Sequence, residues 1–235
     1  MIVWARLART NLDSVADLGF KKDNGMLHLR FAAETMCGFK QKGKVGALNA
    51  CFFAQRGWTV EVYEYRSDPR KQTFVHGRSI NLAASCRGRA ALAAVGLEET
   101  VLKNGIPMYS RYVHNKDGKT TFTVPYGKKH EFILSVNRRL LNELMLTEAE
   151  KHVKVKIVFE HKLIRLDVKR KELVLRRIKD HQELRVKGDL ILGCDGAYSA
   201  VRNSLINYPL FEYSQEYIQH GYIEILMPPT KSNDV

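Results

Sequence analysis

The chain has few of the residues from which metal centres, disulfide frameworks and membrane spans are built. Its 235 residues include four cysteines, which are widely spaced and form no C-x-x-C pair. This pattern excludes a zinc ribbon or a disulfide framework and indicates reduced, buried thiols in an intracellular protein. No apolar run approaches the roughly 18 residues that a membrane-spanning helix needs. Internal repeats and low-complexity linkers are also absent from the sequence.

Basic residues are abundant, with 38 Lys and Arg against 25 Asp and Glu and a net charge of +13. They concentrate in residues 165–187, and such a cluster can attract nucleic acid. However, the basic residues there alternate with apolar ones, as in 163–168, which is typical of a half-exposed antiparallel sheet. We interpret the cluster as the solvated face of that sheet. A nucleic-acid-binding module is the alternative, but no aromatic stacking residues lie among these basic strands.

Helix and strand patterns alternate along most of the chain. Residues 1–36 show no clean period, so we expect 1–40 to be an irregular or poorly ordered segment. Beyond it, end signals and hydrophobic spacing predict the following elements. They are a helix over 45–56 ended by Gly57, a strand over 58–64, a helix over 87–95 ended by Gly96, a helix capped by Asn137 with Leu140, Leu141, Leu144 and Met145 on its apolar side, several strands over 153–192, and a strand over 217–227.

The segment 189–202 combines a buried strand, a glycine turn, an acid and a helix start. An apolar run over 190–192 ends at Gly193, Asp195-Gly196 forms a sharp turn, and Ser199 begins a helix. We expect free N–H groups at that helix start, which suit a phosphate. Asp195 can accept a hydrogen bond from a ribose or hold a pyrophosphate through water. The combination predicts a dinucleotide site.

A second glycine motif supports the same prediction. Gly43-Lys-Val-Gly46 opens the first predicted helix, and Glu64 ends the next strand 18 positions after Gly46. Glycines let a pyrophosphate approach the backbone, and an acid at this distance accepts from the adenosine ribose. Gln41 occupies the first glycine position, and 36–42 are not a buried strand. We therefore expect the first strand of the dinucleotide fold to be replaced by unrelated sequence.

Several segments together resemble the kynurenine 3-monooxygenase family of FAD-dependent aromatic hydroxylases. They are Gly77-Arg-Ser-Ile-Asn-Leu-Ala83, Gly105-Ile-Pro-Met108, Val124-Pro-Tyr-Gly127, Ile133-Leu-Ser-Val136, Gly193-Cys-Asp-Gly-Ala-Tyr-Ser199 and His220-Gly-Tyr222. The resemblance runs from Gly43 to the C-terminus and covers roughly the first half of a family member. It implies an α/β fold: a Rossmann-like FAD-binding domain with a central parallel sheet and an antiparallel β-meander, then the start of a substrate-domain sheet. The expected domains are 1–40 (irregular), 41–205 (FAD-binding, incomplete) and 206–235 (substrate domain, truncated).

The resemblance also implies roles for individual residues. Arg111 and Tyr126 match residues that hold the amino-acid carboxylate of the substrate, a task suited to a guanidinium fork and a phenol. The residues expected to bind FAD are Gly43, Val45, Gly46, Tyr63, Glu64, Tyr65, Arg66, Ala83, Arg138, Leu163, Asp195 and Gly196.

Each of these residues also has a purely structural interpretation. Arg111 can be an exposed strand residue, Tyr126 a turn aromatic and Glu64 a solvated strand end. Arg138 can decorate a helix surface, although a cation at a helix N-terminus opposes the macrodipole and favours an anionic partner. His114, His130 and His220 lack carboxylate or cysteine partners at ligand spacing, so structural roles are favoured for them and we expect no metal.

The implied reaction is the hydroxylation of L-kynurenine to 3-hydroxykynurenine with FAD as cofactor and NADPH and O2 as co-substrates. It needs no side-chain nucleophile or acid–base pair, because the cofactor carries the chemistry. A flavin-dependent hydroxylase or oxidoreductase with another aromatic substrate is the alternative. In full-length relatives a C-terminal region anchors the enzyme to the cytosolic face of the outer mitochondrial membrane. We expect this chain to be a truncated form, cytosolic by itself and inactive as it stands.

Overall fold

A five-stranded parallel sheet organises the molecule. The computed structural model describes residues 2–4, 28–33, 44–72 and 81–221. The strands of the central sheet lie in the order β1-β13-β2-β3-β9, and all neighbours are parallel. Their bounds are β1 (Ile2–Trp4), β2 (His28–Ala33), β3 (Thr59–Glu64), β9 (Val155–Val158) and β13 (Leu190–Gly193).

Two helices, α1 (Lys44–Gln55) and α4 (Arg138–Glu150), cover one face of this sheet. Helix α1 connects β2 to β3 and is followed by Gly57, whose φ of +85° suits glycine at a helix end. Helix α4 begins after Asn137, whose side-chain oxygen accepts from Arg139 N at 2.9 Å and Leu140 N at 3.1 Å. The cap satisfies N–H groups that would otherwise lack partners in the first helical turn.

An antiparallel meander covers the opposite face of the sheet. It consists of β10 (His161–Asp167), β11 (Glu172–Arg177) and β12 (Glu183–Lys187). Alternate residues of β13 enter the two cores: Leu190 and Leu192 pack with α1 and α4, whereas Ile191 packs with Leu173 and Leu175 of the meander. Because both faces of β13 are covered, its sequence is continuously apolar.

Most of the remaining elements form a second, antiparallel region and its helices, whereas the helix Ala200–Ile206 packs against the meander core and β13. A three-stranded sheet has the order β4-β8-β5, and β6 pairs with β7 in a separate two-stranded ribbon. The bounds are β4 (Leu82–Ala84), α2 (Cys86–Ala93), α3 (Glu98–Lys103), β5 (Gly105–Met108), β6 (Ser110–His114), β7 (Thr121–Pro125), β8 (Ile133–Val136) and α5 (Ala200–Ile206), with a single 3-10 turn at Pro69–Lys71.

The predicted α/β class, parallel sheet and meander are confirmed, and so are the helices and strands predicted between residues 45 and 192.

The interpretation of the basic cluster as a half-exposed sheet is also confirmed. Strand β12 is largely exposed, and Arg185 pairs with Glu172 at 3.1 Å across the meander. A further basic residue, Arg177, pairs with Asp180 at 2.7 Å in the turn between β11 and β12. The charges of this face are therefore partly neutralised by acidic neighbours.

Two expectations are wrong. The N-terminal segment is not irregular throughout, because it contributes β1 and β2, and β2 occupies the place of the first strand of the dinucleotide fold. Strand β2 is short and carries Arg30, so its apolar pattern is weak; pairing with β13 on one side and β3 on the other defines it. The predicted strand over 217–227 is absent as far as Gly221, where Tyr217 and Ile218 are exposed, and 222–227 lie outside the described residues. The domain boundaries stay a prediction.

Replacing Gly193 by alanine is expected to destabilise the fold. A Cβ at this position would lie 2.8 Å from Val201 Cγ1, so β13 and α5 would have to separate. Such overpacking costs about 1–3 kcal/mol. Gly88→Ala is the matched control, since a Cβ at Gly88 in α2 meets nothing within 4 Å. That change should stabilise by about 0.5–1 kcal/mol through helix propensity. Urea denaturation measures both effects. An unchanged free energy of unfolding in Gly193→Ala would contradict the close packing of Gly193 against Val201.

Candidate functional site

The carboxyl ends of β13, β2 and β3 lie side by side at one edge of the central sheet. Gly193 pairs with Ala32, and Ala33 pairs with Glu64. Adjacent strands are about 4.8 Å apart, so the ends of β3 and β13 are separated by roughly 10 Å, with β2 between them. The chain leaves β2 through α1 to reach β3 on one side, while β13 lies on the other. This reversal of strand order is where open α/β sheets bind their ligands.

The end of β3 contributes an acidic residue, Glu64, and a basic residue, Arg66. Glu64 is 6% exposed, and its Oε1 accepts from the N–H of Arg66 at 3.1 Å. Tyr63 is buried and donates from its hydroxyl to Glu61 Oε2 at 2.5 Å, whereas the ring of Tyr65 is half-buried with Lys162 Nζ 5.7 Å from its centroid. Arg66 Nη1 is buried and has no hydrogen-bond partner within the part of the chain that the structure describes. A buried cationic donor in this state fits an anionic ligand.

The N-terminus of α4 brings a second arginine to the same edge. Because α4 leads directly into the parallel strand β9, its first turn lies at the carboxyl edge of the sheet. Arg138 is the first residue of the helix, and no acidic residue stands in its first turn. A cation at this position is repelled by the helix macrodipole. Its buried Nε has no hydrogen-bond acceptor among residues 44–72 and 81–221 or the short N-terminal strands.

The turn between β13 and α5 leaves fewer free N–H groups than the sequence predicts. Asp195 is fully buried and accepts from Ser199 Oγ at 2.5 Å and from the N–H of Val201 at 3.1 Å. Ser199 Oγ in turn accepts from the N–H of Arg202 at 2.9 Å. The expectation that this helix start offers free N–H groups to a phosphate is therefore wrong for Val201 and Arg202. The carboxylate that was expected to contact the ligand instead caps the helix.

Gly196 remains at the surface of this corner in a left-handed conformation, with φ +77°. Its carbonyl accepts from Arg202 Nη1 at 3.4 Å, and the carbonyl of Ala197 accepts from Nη2 of the same guanidinium. The guanidinium also lies 5.0 Å from the ring centroid of Tyr213. Asp195 and Arg202 thus hold the Gly196 turn in place, and the backbone of that turn is what this corner presents to the edge.

The remaining predicted cofactor residues are placed as follows. Val45 and Gly46 lie in the first turn of α1, where Asn49 Nδ2 donates to the Val45 carbonyl at 2.7 Å. Ala83 is exposed on β4 opposite Ser135. Leu163 is 3% exposed and packs in the meander core, so its side chain does not face the edge. Gly43 lies outside the described residues.

The two predicted substrate residues lie together on the β6–β7 ribbon. Arg111 pairs with Val124, and the N–H of Tyr126 donates to the Tyr109 carbonyl at 2.9 Å. Residues opposite each other on paired strands share a face, so Arg111 and Tyr126 are diagonal neighbours on one face, roughly 7–8 Å apart. Both are exposed.

The sequence did not single out Arg139. Its guanidinium donates to Glu143 Oε1 at 2.5 Å and to the carbonyls of Pro69 and Gln72 at 2.9 and 2.7 Å. The only signal in the sequence was a pair of arginines directly after a capping asparagine.

The cysteines are free thiols at the positions described. Burial raises the pKa of Cys51 to about 11 and that of Cys194 to about 12, so both stay protonated at neutral pH. Cys86 is exposed, which corrects the expectation of burial for that residue.

Within the described ranges, no three His, Cys, Asp or Glu side chains form a group that could hold a metal. None of the helices there combines the length and apolar character of a bilayer span.

Parallel strands meeting at a switch point, an acidic residue at the end of β3, and two arginines whose buried donors meet no acceptor in the described part of the chain are typical of a dinucleotide-binding α/β domain. Residues 42–234 match the family described as FAD binding domain. The chain belongs to that family.

Curated relatives add a more specific likeness. The chain is 55% identical over 198 residues to the kynurenine 3-monooxygenase of Caenorhabditis briggsae, covering 78% of this chain and 43% of the relative. It is 48% identical to that of Sus scrofa, covering 80% and 39%, and 39% identical to that of Myxococcus xanthus, covering 79% and 40%. The chain thus spans about two fifths of the length of these relatives.

Solved structures with the same fold include two monooxygenases. The p-nitrophenol 4-monooxygenase PnpA from Pseudomonas putida superposes with a TM-score of 0.60 at 17% identity, covering 77% of this chain and 43% of that one. The flavin-dependent monooxygenase PieE, solved with FAD and substrate, also gives 0.60, at 14% identity, covering 77% and 32%. At these identities the likeness shows the fold alone.

Asp195→Asn should change how the free energy of unfolding depends on pH, because it removes a buried carboxyl group. Burial raises the pKa of Asp195, although hydrogen bonds from Ser199 and Val201 oppose the rise. A carboxyl whose pKa is raised on folding contributes stability below its unfolded pKa of about 3.9, and this is lost as pH rises through the folded pKa. The free energy of unfolding of the unsubstituted chain, relative to that of the variant, should therefore increase as the pH is lowered from neutral toward that unfolded pKa. The limiting slope for one proton is about 1.4 kcal/mol per pH unit.

Urea denaturation of both proteins across this pH range gives the difference directly. A relative stability that instead falls on acidification would show that the two hydrogen bonds outweigh burial and hold Asp195 ionised.

Proposed function

We propose that this chain forms the FAD-binding part of an enzyme that hydroxylates L-kynurenine to 3-hydroxykynurenine with NADPH and O2. Three curated relatives at 39–55% identity carry the name kynurenine 3-monooxygenase. The observation that carries the proposal for the cofactor is the state of Arg66 and Arg138. Each has a buried guanidinium nitrogen with no acceptor among the described residues, and each lies at the carboxyl edge of the sheet.

The donor set of this edge fits FAD. The pyrophosphate needs cationic donors, which Arg66 and Arg138 supply, and an adenosine ribose needs an acceptor, which Glu64 at the end of β3 supplies. The backbone at Val45 and Gly46, at the start of α1, suits a closely approaching phosphate. When bound, FAD supplies the redox chemistry between NADPH, O2 and the aromatic ring. The residues of this chain hold it, orient it and exclude water.

Arg111 and Tyr126 are proposed to hold the amino-acid carboxylate of the substrate. They share one face of the β6–β7 ribbon, and no ion pair or side-chain hydrogen bond involves either within the described part of the chain. A guanidinium can bind a carboxylate through two parallel hydrogen bonds, and a neighbouring phenol can donate a third.

Loss of the Arg138 guanidinium should weaken FAD binding. Arg138→Ala removes a charge-assisted hydrogen bond worth about 1.5–3 kcal/mol, or roughly 10- to 100-fold in Kd. Titration of the purified chain with FAD, followed by quenching of flavin fluorescence, measures this. Arg170→Ala is the control, because Arg170 is 69% exposed in a meander turn and pairs only loosely with Asp167 at 3.8 Å. Equal affinity of the Arg138→Ala variant and the unsubstituted chain would refute the assignment.

A second measurement tests the substrate. L-kynurenine added to the FAD-loaded chain should perturb the flavin absorption bands, and Arg111→Ala should weaken this binding roughly 10-fold or more. Arg111→Lys should recover only part of the loss, because an ammonium lacks the two-pronged geometry. Lys119→Ala, in the turn of the same ribbon, serves as the control. Unchanged affinity in Arg111→Ala would favour another aromatic substrate.

The expectation that the chain is inactive as it stands stays a prediction, as does its location in the cell. Incubation of the chain with FAD, NADPH and L-kynurenine, followed by chromatographic detection of 3-hydroxykynurenine, tests whether it is inactive. Product formation at a rate above that of the Arg138→Ala variant would show that the chain is active.

A further inference from the structure

The segment that follows β3 is fastened to the rest of the domain at several points. The carbonyl of Arg66 accepts from Glu160 N at 3.1 Å, and Ser67 Oγ donates to Glu160 Oε1 at 2.7 Å. Two residues further, Asp68 binds Arg70, which reaches Glu150 of α4 at 2.5 Å. These contacts tie the segment to β9, to the start of the meander and to the end of α4.

Arg139 fastens the same segment to the other end of α4. Its Nη2 donates to the carbonyls of Pro69 and Gln72, and its Nε pairs with Glu143 one turn along the helix. The two carbonyls bracket the 3-10 turn, so a single guanidinium holds the turn against the first turn of α4. A planar fork with five donors can bridge acceptors in this way, whereas an ammonium cannot match its geometry.

This contact joins the two elements that carry Arg66 and Arg138, each of which has one buried nitrogen that meets no acceptor in the described ranges. Arg66 precedes the anchored turn by a few residues, and Arg138 is the neighbour of Arg139 on α4. The separation of their guanidinium groups therefore depends on how the turn sits on the helix. We propose that Arg139 is a positioning residue for the cofactor site: it fixes the spacing at which Arg66 and Arg138 together bind a diphosphate.

This inference rests on the proposed function, since it assigns a residue that acts through the FAD-binding arginines. Arg139 donates to protein acceptors, two carbonyls and a carboxylate. Its role follows from a general requirement: binding groups must be held close to their productive geometry by neighbours whose own positions are locked.

The test compares purified variants by FAD titration. Arg139→Ala should raise the Kd for FAD about tenfold, because a shifted turn would cost Arg66 or Arg138 about one charge-assisted contact to the diphosphate. Arg139→Lys should raise the Kd less, since it keeps the charge. The matched control is Arg89→Ala: Arg89 pairs with Glu98 at 2.9 Å and is 25% exposed, against 2.5 Å and 24% for Arg139 with Glu143. Arg89 lies on α2 and contacts Glu98 and the ring of Phe132, not the segment that follows β3, so its variant should bind FAD like the unsubstituted chain. Thermal unfolding of each variant reports any general loss of stability.

The double variant Arg138→Ala/Arg139→Ala separates positioning from a structural role. Once Arg138 is gone, the spacing between the two arginines no longer matters, so the double variant should bind FAD as weakly as Arg138→Ala alone. A double variant that is weaker by the product of the two single effects would overturn the inference, as would unchanged affinity in Arg139→Ala. Should Arg139→Ala not fold, Arg139→Lys carries the same comparison. Absence of FAD binding by the unsubstituted chain would instead refute the proposed function.

Discussion

The parallel pairing of β2 with β13 and β3 is the constraint on which the site depends. Parallel neighbours end at the same edge, so residues more than a hundred positions apart, such as Glu64 and Gly196, come within reach of one ligand. The crossover through α1 brings the start of that helix to this edge, and the crossover through α4 does the same for Arg138. Each functional group is thus placed by the direction of the strand or helix that carries it.

Charge at this edge is balanced differently from charge elsewhere in the molecule. On the meander, basic residues face acidic partners across the strands or within the turns. At the edge, Arg66 and Arg138 keep buried nitrogens that meet no acceptor in the described chain. Burying such donors costs free energy unless a partner satisfies them. The two regions therefore differ in how their basic residues are satisfied: acidic side chains of the chain pair with them on the meander, whereas no acceptor within the described residues meets the buried nitrogens at the edge.

Patterns of hydrophobic spacing and end signals predicted α1, β3, α2, α4 and the strands between residues 153 and 192, because those segments combine strong periodicity with glycine or asparagine at their ends. They did not identify β4 to β8 or α3. They failed for β2, whose identity as a strand depends on two neighbours that are remote in sequence. The Asp195-Gly196 turn and the Ser199 helix start were predictable from local chemistry. The inward direction of the Asp195 carboxylate was not, since it depends on hydrogen bonds with the first turn of α5. The tertiary contacts of Arg139 could not be predicted for the same reason.

The β6–β7 ribbon differs from the central sheet in how its backbone is protected. Nearly every position of both strands is exposed, including the rings of Tyr112 and Phe122, and a two-stranded hairpin has little stability of its own. Its amide hydrogens should therefore exchange with solvent deuterium through local opening, long before those of β13, which lies between two packed cores. The groups proposed to recognise the substrate thus lie in a weakly protected part of the domain, and a ligand bound there would slow their exchange selectively.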